Sequence, residues 1–221
     1  MSGDPGALPR TVVLVSGSGS NLQAIIDARL AGMLPIALVG VISDRPGAGA
    51  LERAARAGIP GHVVDCQALG RAAFDASLAD LLGQLAPDLV VLAGFMRILD
   101  AGLVTRYAGR MLNVHPSLLP RHPGLYTYRR ALEAGDREHG ATVHFVIPAL
   151  DAGPAIMQYR IRIWPGDTEA TLRSRVQRGE HRIYPQAIAW FAAGRLALRD
   201  GQAWLDERPL VAPIVVDETV C

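Results

Sequence analysis

The stretch that decides the fold is Thr11-Val12-Val13-Leu14-Val15-Ser16-Gly17-Ser18-Gly19-Ser20-Asn21-Leu22-Gln23-Ala24-Ile25-Ile26. Thr11–Val15 is β-branched or aliphatic throughout, the pattern of a strand covered on both faces rather than one. Gly17-Ser18-Gly19-Ser20 then reads as a turn, and Asn21–Ala31 as a helix. A strand that passes through a Gly-rich turn into a helix begins a βαβ unit and calls for parallel neighbours. Those neighbours follow at intervals: Ile36–Ile42, His62–Val64, Leu89–Ala93 and Met111–His115 read as strands. Helical patterns separate them at Ala50–Ala57, Arg71–Leu85 and Asp100–Tyr107. The expectation is an open, doubly wound, mostly parallel Rossmann-like α/β sheet. After Pro120 the pattern changes. Thr142–Val146 and Ala155–Ile163 contain alternating stretches, which predicts antiparallel strands added in the C-terminal half. Asp167 or Thr168 opens a long helix to about Ala193, with Pro185 inside it.

Composition narrows the function classes. The 221 residues suit one domain over 10–221, with a polar, Gly- and Pro-rich arm over 1–9 expected to be disordered. Half the residues are hydrophobic and 19% are charged, enough for a sizeable core. With 22 basic and 21 acidic residues the formal charge is +1, so no global field draws the chain to nucleic acid or membrane. Any anionic ligand must be held locally. Cys66 and Cys221 do not make a disulfide framework, and no signal peptide or apolar span is visible, which together point to the cytoplasm.

In a doubly wound sheet, ligands bind at the carboxyl ends of the strands. Ser16–Asn21, Gly94–Arg97 and Asn113–Pro120 all fall there. Gly17-Ser18-Gly19-Ser20-Asn21 lets backbone approach an anion at a helix start, which suits a monophosphate. Leu22 stands where a dinucleotide fingerprint needs a third Gly or Ala, and the Gly-Lys-Ser/Thr of a P-loop is missing. Asp44 after the second strand keeps a nicotinamide enzyme open, and a plain tight turn stays open as well. Asn113 and His115 are two apart at the end of an apolar run, so they share a strand face. Together they can stabilise negative charge and manage a proton, with Asp151 as a candidate partner carboxylate. Gly94-Phe95-Met96-Arg97-Ile98-Leu99 suits a flat ligand with hydrogen-bonding edges, or an ordinary strand-to-helix connection. His115, His122, His139, His144 and His181 are scattered, with no HExxH pair, so no metal is expected. Gly17-Ser18-Gly19 is too short for a serine-nucleophile elbow.

Taken together, these segments resemble the phosphoribosylglycinamide formyltransferases, folate-dependent enzymes of purine synthesis. The resemblance rests on Val13–Ile26, Leu92–Leu99, Asn113–Gly124, Glu138–Phe145, Leu150–Pro154, and Arg175-Val176-Gln177 with Glu180-His181. It covers about residues 11–208. It implies Asn113, His115 and Asp151 as the catalytic trio. It implies backbone amides of Gly19, Ser20 and Asn21 on the substrate phosphate, with Gln177 and Glu180 near its ribose or glycinamide end. Arg71, Met96, Arg97, Ile98 and Leu99 would border the folate, and Ile147–Asp151 would form its other wall. The implied co-substrate is 10-formyltetrahydrofolate and the acceptor glycinamide ribonucleotide, with direct transfer and no metal. Asn113 and a His115 kept charged by Asp151 would serve the oxyanion, and Asp151 the proton. One departure stands out: Tyr126-Thr127-Tyr128 replaces the His-Thr-His that bacterial relatives often carry.

The rivals are a 10-formyltetrahydrofolate hydrolase, a methionyl-tRNA formyltransferase and a non-catalytic nucleotide-binding module. A first strand near Thr11 leaves no room for the hydrolase family's amino-terminal regulatory domain. Balanced charge and an end at Cys221 speak against a tRNA-binding extension. A binding module has no use for the trio. The expected partners are small molecules, with no nucleic acid or membrane. The Pro-rich tail, Pro209–Val216, has two options: its own sheet edge, or a second subunit in a homodimer.

Overall fold

A computed structural model describes residues 7–219. Residues 1–6 of the expected disordered arm, and Cys221, lie outside the described residues. The arm ends sooner than expected, because the Pro9 carbonyl already accepts a hydrogen bond from the Ala37 amide at 3.0 Å.

The first half is a chain of βα units: β1 (Arg10–Val15), α1 (Ser20–Leu30), β2 (Ala37–Ser43), α2 (Gly49–Arg56), β3 (Gly61–Val63), α3 (Cys66–Leu69), α4 (Arg71–Leu85), β4 (Leu89–Leu92), α5 (Ala101–Arg106) and β5 (Met111–His115). The second half adds α6 (Thr127–Glu133), β6 (Glu138–Phe145), β7 (Ala155–Arg162), α7 (Glu169–Ala192), β8 (Leu196–Arg199), β9 (Gln202–Leu205), β10 (Arg208–Pro209) and β11 (Ile214–Asp217). Eight strands form one sheet in the order β11-β7-β6-β5-β4-β1-β2-β3, and β8, β9 and β10 make a small separate sheet.

Strands β1 to β5 pair in parallel, as expected from their unbroken apolar runs. Alternate residues of β1 serve two cores. Val13 and Val15 pack with α1 residues Leu22, Ile25 and Ile26 and with the α7 residues Leu172, Val176, Ile183 and Ile188. Val12 and Leu14 pack with Phe74, Leu78 and Leu82 of α4 and Leu103 and Val104 of α5. Burying a side chain of this size is worth about 1.5–3 kcal/mol, and coverage on both faces is what makes the runs continuous instead of alternating.

The antiparallel strands expected after Pro120 are present: β6 pairs antiparallel with both β5 and β7. β6 begins at Glu138, four residues before the expected Thr142, because Glu138 to Ala141 complete the ladder with Tyr159 to Arg162. The tail takes its own sheet edge, with β11 pairing in parallel with β7 from Ile214↔Met157 to Asp217↔Arg160. Thr168 caps α7 in a reciprocal pair with Thr171, which fixes the start of the long helix. The helix is pinned to the sheet by buried Tyr184, whose hydroxyl lies 2.9 Å from the carbonyl oxygens of both Leu92 and Leu112. Those carbonyls belong to β4 and β5, so α7 holds the strand ends that border the cleft.

Candidate active site

Strand order reverses between β1 and β4, and the loops after these two strands diverge there. The Ser16 hydroxyl accepts the Met96 amide at 2.8 Å, tying the two loops together. At the first, Gly19 has φ +74° and is the N-cap of α1, with no side-chain cap on the helix. The opening amides of a helix have no acceptor inside it, so Ser20 and Asn21 present unpaired N–H groups and the positive end of the dipole. Asn21 Nδ2 donates to Glu180 Oε2 at 2.7 Å, and Gln177 Nε2 donates to the Ser20 hydroxyl at 2.7 Å. The structure therefore brings all five expected substrate-side residues together. Burial pushes the Glu180 carboxyl up from its ordinary value, against the Asn21 hydrogen bond that pulls it down.

The second loop forms one wall of a pocket lined by Phe95, Arg97, Ile98, Leu99, Asn113, His144 and Ile147–Asp151. Arg97 is held by Asp44, whose buried Oδ2 accepts from Nε at 2.8 Å. Asp44 is thus committed to Arg97, which removes the support it gave a ribose-binding nicotinamide site. Met96 contributes its amide to Ser16 while its side chain is exposed. Arg71 sits at the start of α4, paired with Asp75 at 2.5 Å. Neither side chain is in the pocket wall.

Between these two sites stand the expected catalytic residues. His115 is buried at the end of β5, with Nδ1 3.4 Å from Asp151 Oδ2 and Nε2 2.9 Å from the His122 carbonyl. A carbonyl has no proton to give, so Nε2–H donates to His122. Asp151 comes from the loop between β6 and β7 and has φ +51°, the left-handed region that few side chains adopt. Its Oδ2 also accepts the Gly124 amide at 2.8 Å, joining the carboxylate to the loop after β5. The turn behind it is tight: a Cβ on Gly153 would lie 1.8 Å from the Phe145 carbonyl oxygen.

Sequence reasoning passed over the role of His144, which the β5–β6 register places directly opposite Asn113. His144 Nδ1 lies 2.8 Å from the Phe145 carbonyl, so Nδ1 carries a proton. Burial pushes this imidazole down from its ordinary value, leaving it neutral with Nε2 as an acceptor. Asn113 Nδ2 lies 3.1 Å from that nitrogen and donates to it, which sets the orientation of the Asn113 amide. The alternation of Val143-His144-Phe145 was the available signal, but pairing to Asn113 needed the register. His122 was likewise unread; its Nε2 meets Asp136 Oδ2 at 2.6 Å, anchoring the loop whose carbonyl holds His115.

The doubly wound sheet, a phosphate-type turn and an Asn–His–carboxylate centre beside an apolar pocket define a group-transfer enzyme acting on a phosphorylated substrate. Residues 9–188 match the Formyl transferase family. The phosphoribosylglycinamide formyltransferase of Escherichia coli (strain K12) is 52% identical over 90% of this chain and 94% of its own length. The solved phosphoribosylglycinamide formyltransferase of Coxiella burnetii is 47% identical, with a TM-score of 0.90 over 95% of this chain and 99% of that one. A formyltetrahydrofolate deformylase from Pseudomonas syringae pv. tomato superposes with a TM-score of 0.84 but is 26% identical, over 90% of this chain and 66% of that one. The chain belongs to the phosphoribosylglycinamide formyltransferase family.

Proposed function

We propose that the protein transfers the formyl group of 10-formyltetrahydrofolate to the amine of glycinamide ribonucleotide, with Asn113, His115 and Asp151 as the catalytic residues. The observation that carries this reading is the convergence of Asn113, His115 and Asp151 between the phosphate-type turn and the apolar pocket. β4 separates β1 from β5, so the turn and Asn113 stand about 10 Å apart across the sheet edge. That is the length scale of a phosphorylated ribose carrying a short amide arm.

In this reading the phosphate rests on the amides of Gly19, Ser20 and Asn21. Glu180 and Gln177 lie on the ribose side, and Arg97, Ile98, Leu99 and Ile147 border the folate. The acceptor amine attacks the formyl carbon, and the remaining Nδ2 hydrogen of Asn113 serves the developing oxyanion. His115 adds a second donor once Nε2–H exchanges the His122 carbonyl for the ligand oxygen. Asp151 orients the ring through Nδ1 and receives the proton released by the attacking amine, directly or through water, for delivery to the departing folate nitrogen. The partners are two small molecules.

The test is formyl transfer measured with and without glycinamide ribonucleotide. Product formation that requires the acceptor supports the transferase. Formate release at the same rate without acceptor would overturn it in favour of hydrolysis.

A further inference from the structure

The turn before α1 is braced from behind by α2, and one charged side chain completes the brace. Three carbonyl groups of the turn, those of Gly17, Ser18 and Gly19, could face an incoming anion and repel it. Each is engaged elsewhere. The Ala50 amide donates to the Gly17 carbonyl at 3.1 Å, and the Gln23 amide to the Gly19 carbonyl at 2.9 Å. The Ser18 carbonyl has a side chain instead: Arg53 Nε donates to it at 2.8 Å. Arg53 Nη1 also donates to Gln23 Oε1 at 3.0 Å, so the guanidinium is held by both the turn and α1. The packing leaves little slack, since a Cβ on Gly19 would lie 2.7 Å from Cα and Cβ of Ala50 and 3.3 Å from Arg53 Cδ.

We propose that Arg53 is a positioning residue for the acceptor phosphate, turning the Ser18 carbonyl away from it and bringing positive charge behind the turn. The inference rests on the reading of this turn as the phosphate site. The charge serves binding of the phosphorylated acceptor and has no part in the transfer step, which takes place at Asn113 and His115. Loss of Arg53 frees the Ser18 carbonyl to rotate toward the anion and removes a cation from a turn that has no other charged side chain of its own.

The experiment compares wild type, Arg53→Met and Arg53→Lys with two acceptors, glycinamide ribonucleotide and its dephosphorylated nucleoside. Arg53→Met is expected to raise KM for the ribonucleotide at least about tenfold, the scale of a charge-assisted hydrogen bond. The kcat at saturation and the KM for folate should stay within about twofold, because neither uses this end of the cleft. Activity on the nucleoside should be unchanged, and Arg53→Lys should recover part of the loss. Equal losses on both acceptors, or a ribonucleotide KM unchanged in Arg53→Met, would overturn the role of Arg53. A wild-type enzyme that does not distinguish the two acceptors would overturn the phosphate-site reading itself. Thermal unfolding of each variant separates a fall in folded protein from a change in KM.

Discussion

The two ends of the cleft handle charge by different means. At the turn before α1, the proposed phosphate would be met by backbone amides and a helix dipole, with the carbonyls drawn away behind. At the proposed transfer centre, charge would be handled by side chains that hold one another: Asp151 on His115, His144 on Asn113, Asp136 on His122. Backbone amides do not titrate, and only a proline substitution removes one. Imidazoles and carboxylates do titrate, and each depends on its neighbour for orientation. The first end should tolerate changes of pH and of the side chains on the turn itself, with Arg53 behind it as the exception, and the second should not.

The strongest way to break this contrast is at His115. His115→Ala is expected to bind both substrates yet lose transfer by about a hundredfold or more, the scale of losing one oxyanion donor. Calorimetric binding beside single-turnover rates checks it, and near-normal turnover would contradict the assignment. Asp151→Asn comes next. Asn tolerates the left-handed backbone that Asp151 adopts, so the turn should survive while the charge is lost. We expect a fall of roughly ten- to a hundredfold in kcat with little change in KM, read by steady-state kinetics. A variant as active as wild type would remove the carboxylate from the mechanism.

Stability against pH tests the same contrast from the folded state. His139 is buried beside Tyr128 and His122, and burial, helped by His122, lowers its pKa from 6.5 to about 4. Between those values the unfolded chain binds a proton that the folded chain does not. Its contribution is therefore complete above pH 6.5 and is lost as pH falls toward 4. His144 is shifted the same way, while the raised Glu180 acts in reverse, costing stability as pH rises above its ordinary 4.5. His139→Phe should flatten the loss between pH 6.5 and 4, an effect of a few kcal/mol at most. Denaturant unfolding at several pH values measures it, and an unchanged slope would show that His139 does not carry the effect. The smallest effect belongs to the other end. Ser20→Ala should change KM for the ribonucleotide by less than about threefold, a fraction of one hydrogen bond, because in the proposed reading the amide and not the hydroxyl meets the phosphate. A larger loss would mean that this end depends on a side chain of the turn itself as well as on Arg53.

Much of the fold was legible because its parallel half is written locally. Val12 to Val15 alternate between two buried faces, and the unbroken run follows from that burial. The small sheet of β8 to β10 and the short α6 were not read, since their residues mix polar and apolar with no lasting period. In the site, the turn, the Asn113–His115 pair and Asp151 could be picked out by residue type and spacing. His144, His122 and Arg53 could not, because each acts through a partner 31, 7 and 35 residues away respectively.

The sequence by itself determined the parallel sheet, the Gly-rich helix start and the shared face of Asn113 and His115. These follow from period, glycine conformation and strand geometry within a few residues. Only the tertiary structure decided that Asp151 faces His115 across the β6–β7 turn, that a neutral His144 orients Asn113, and that α2 braces the turn before α1. Those pairings depend on strand register and on helices meeting over the sheet, and register is set by the packing of the whole core, not by any one segment.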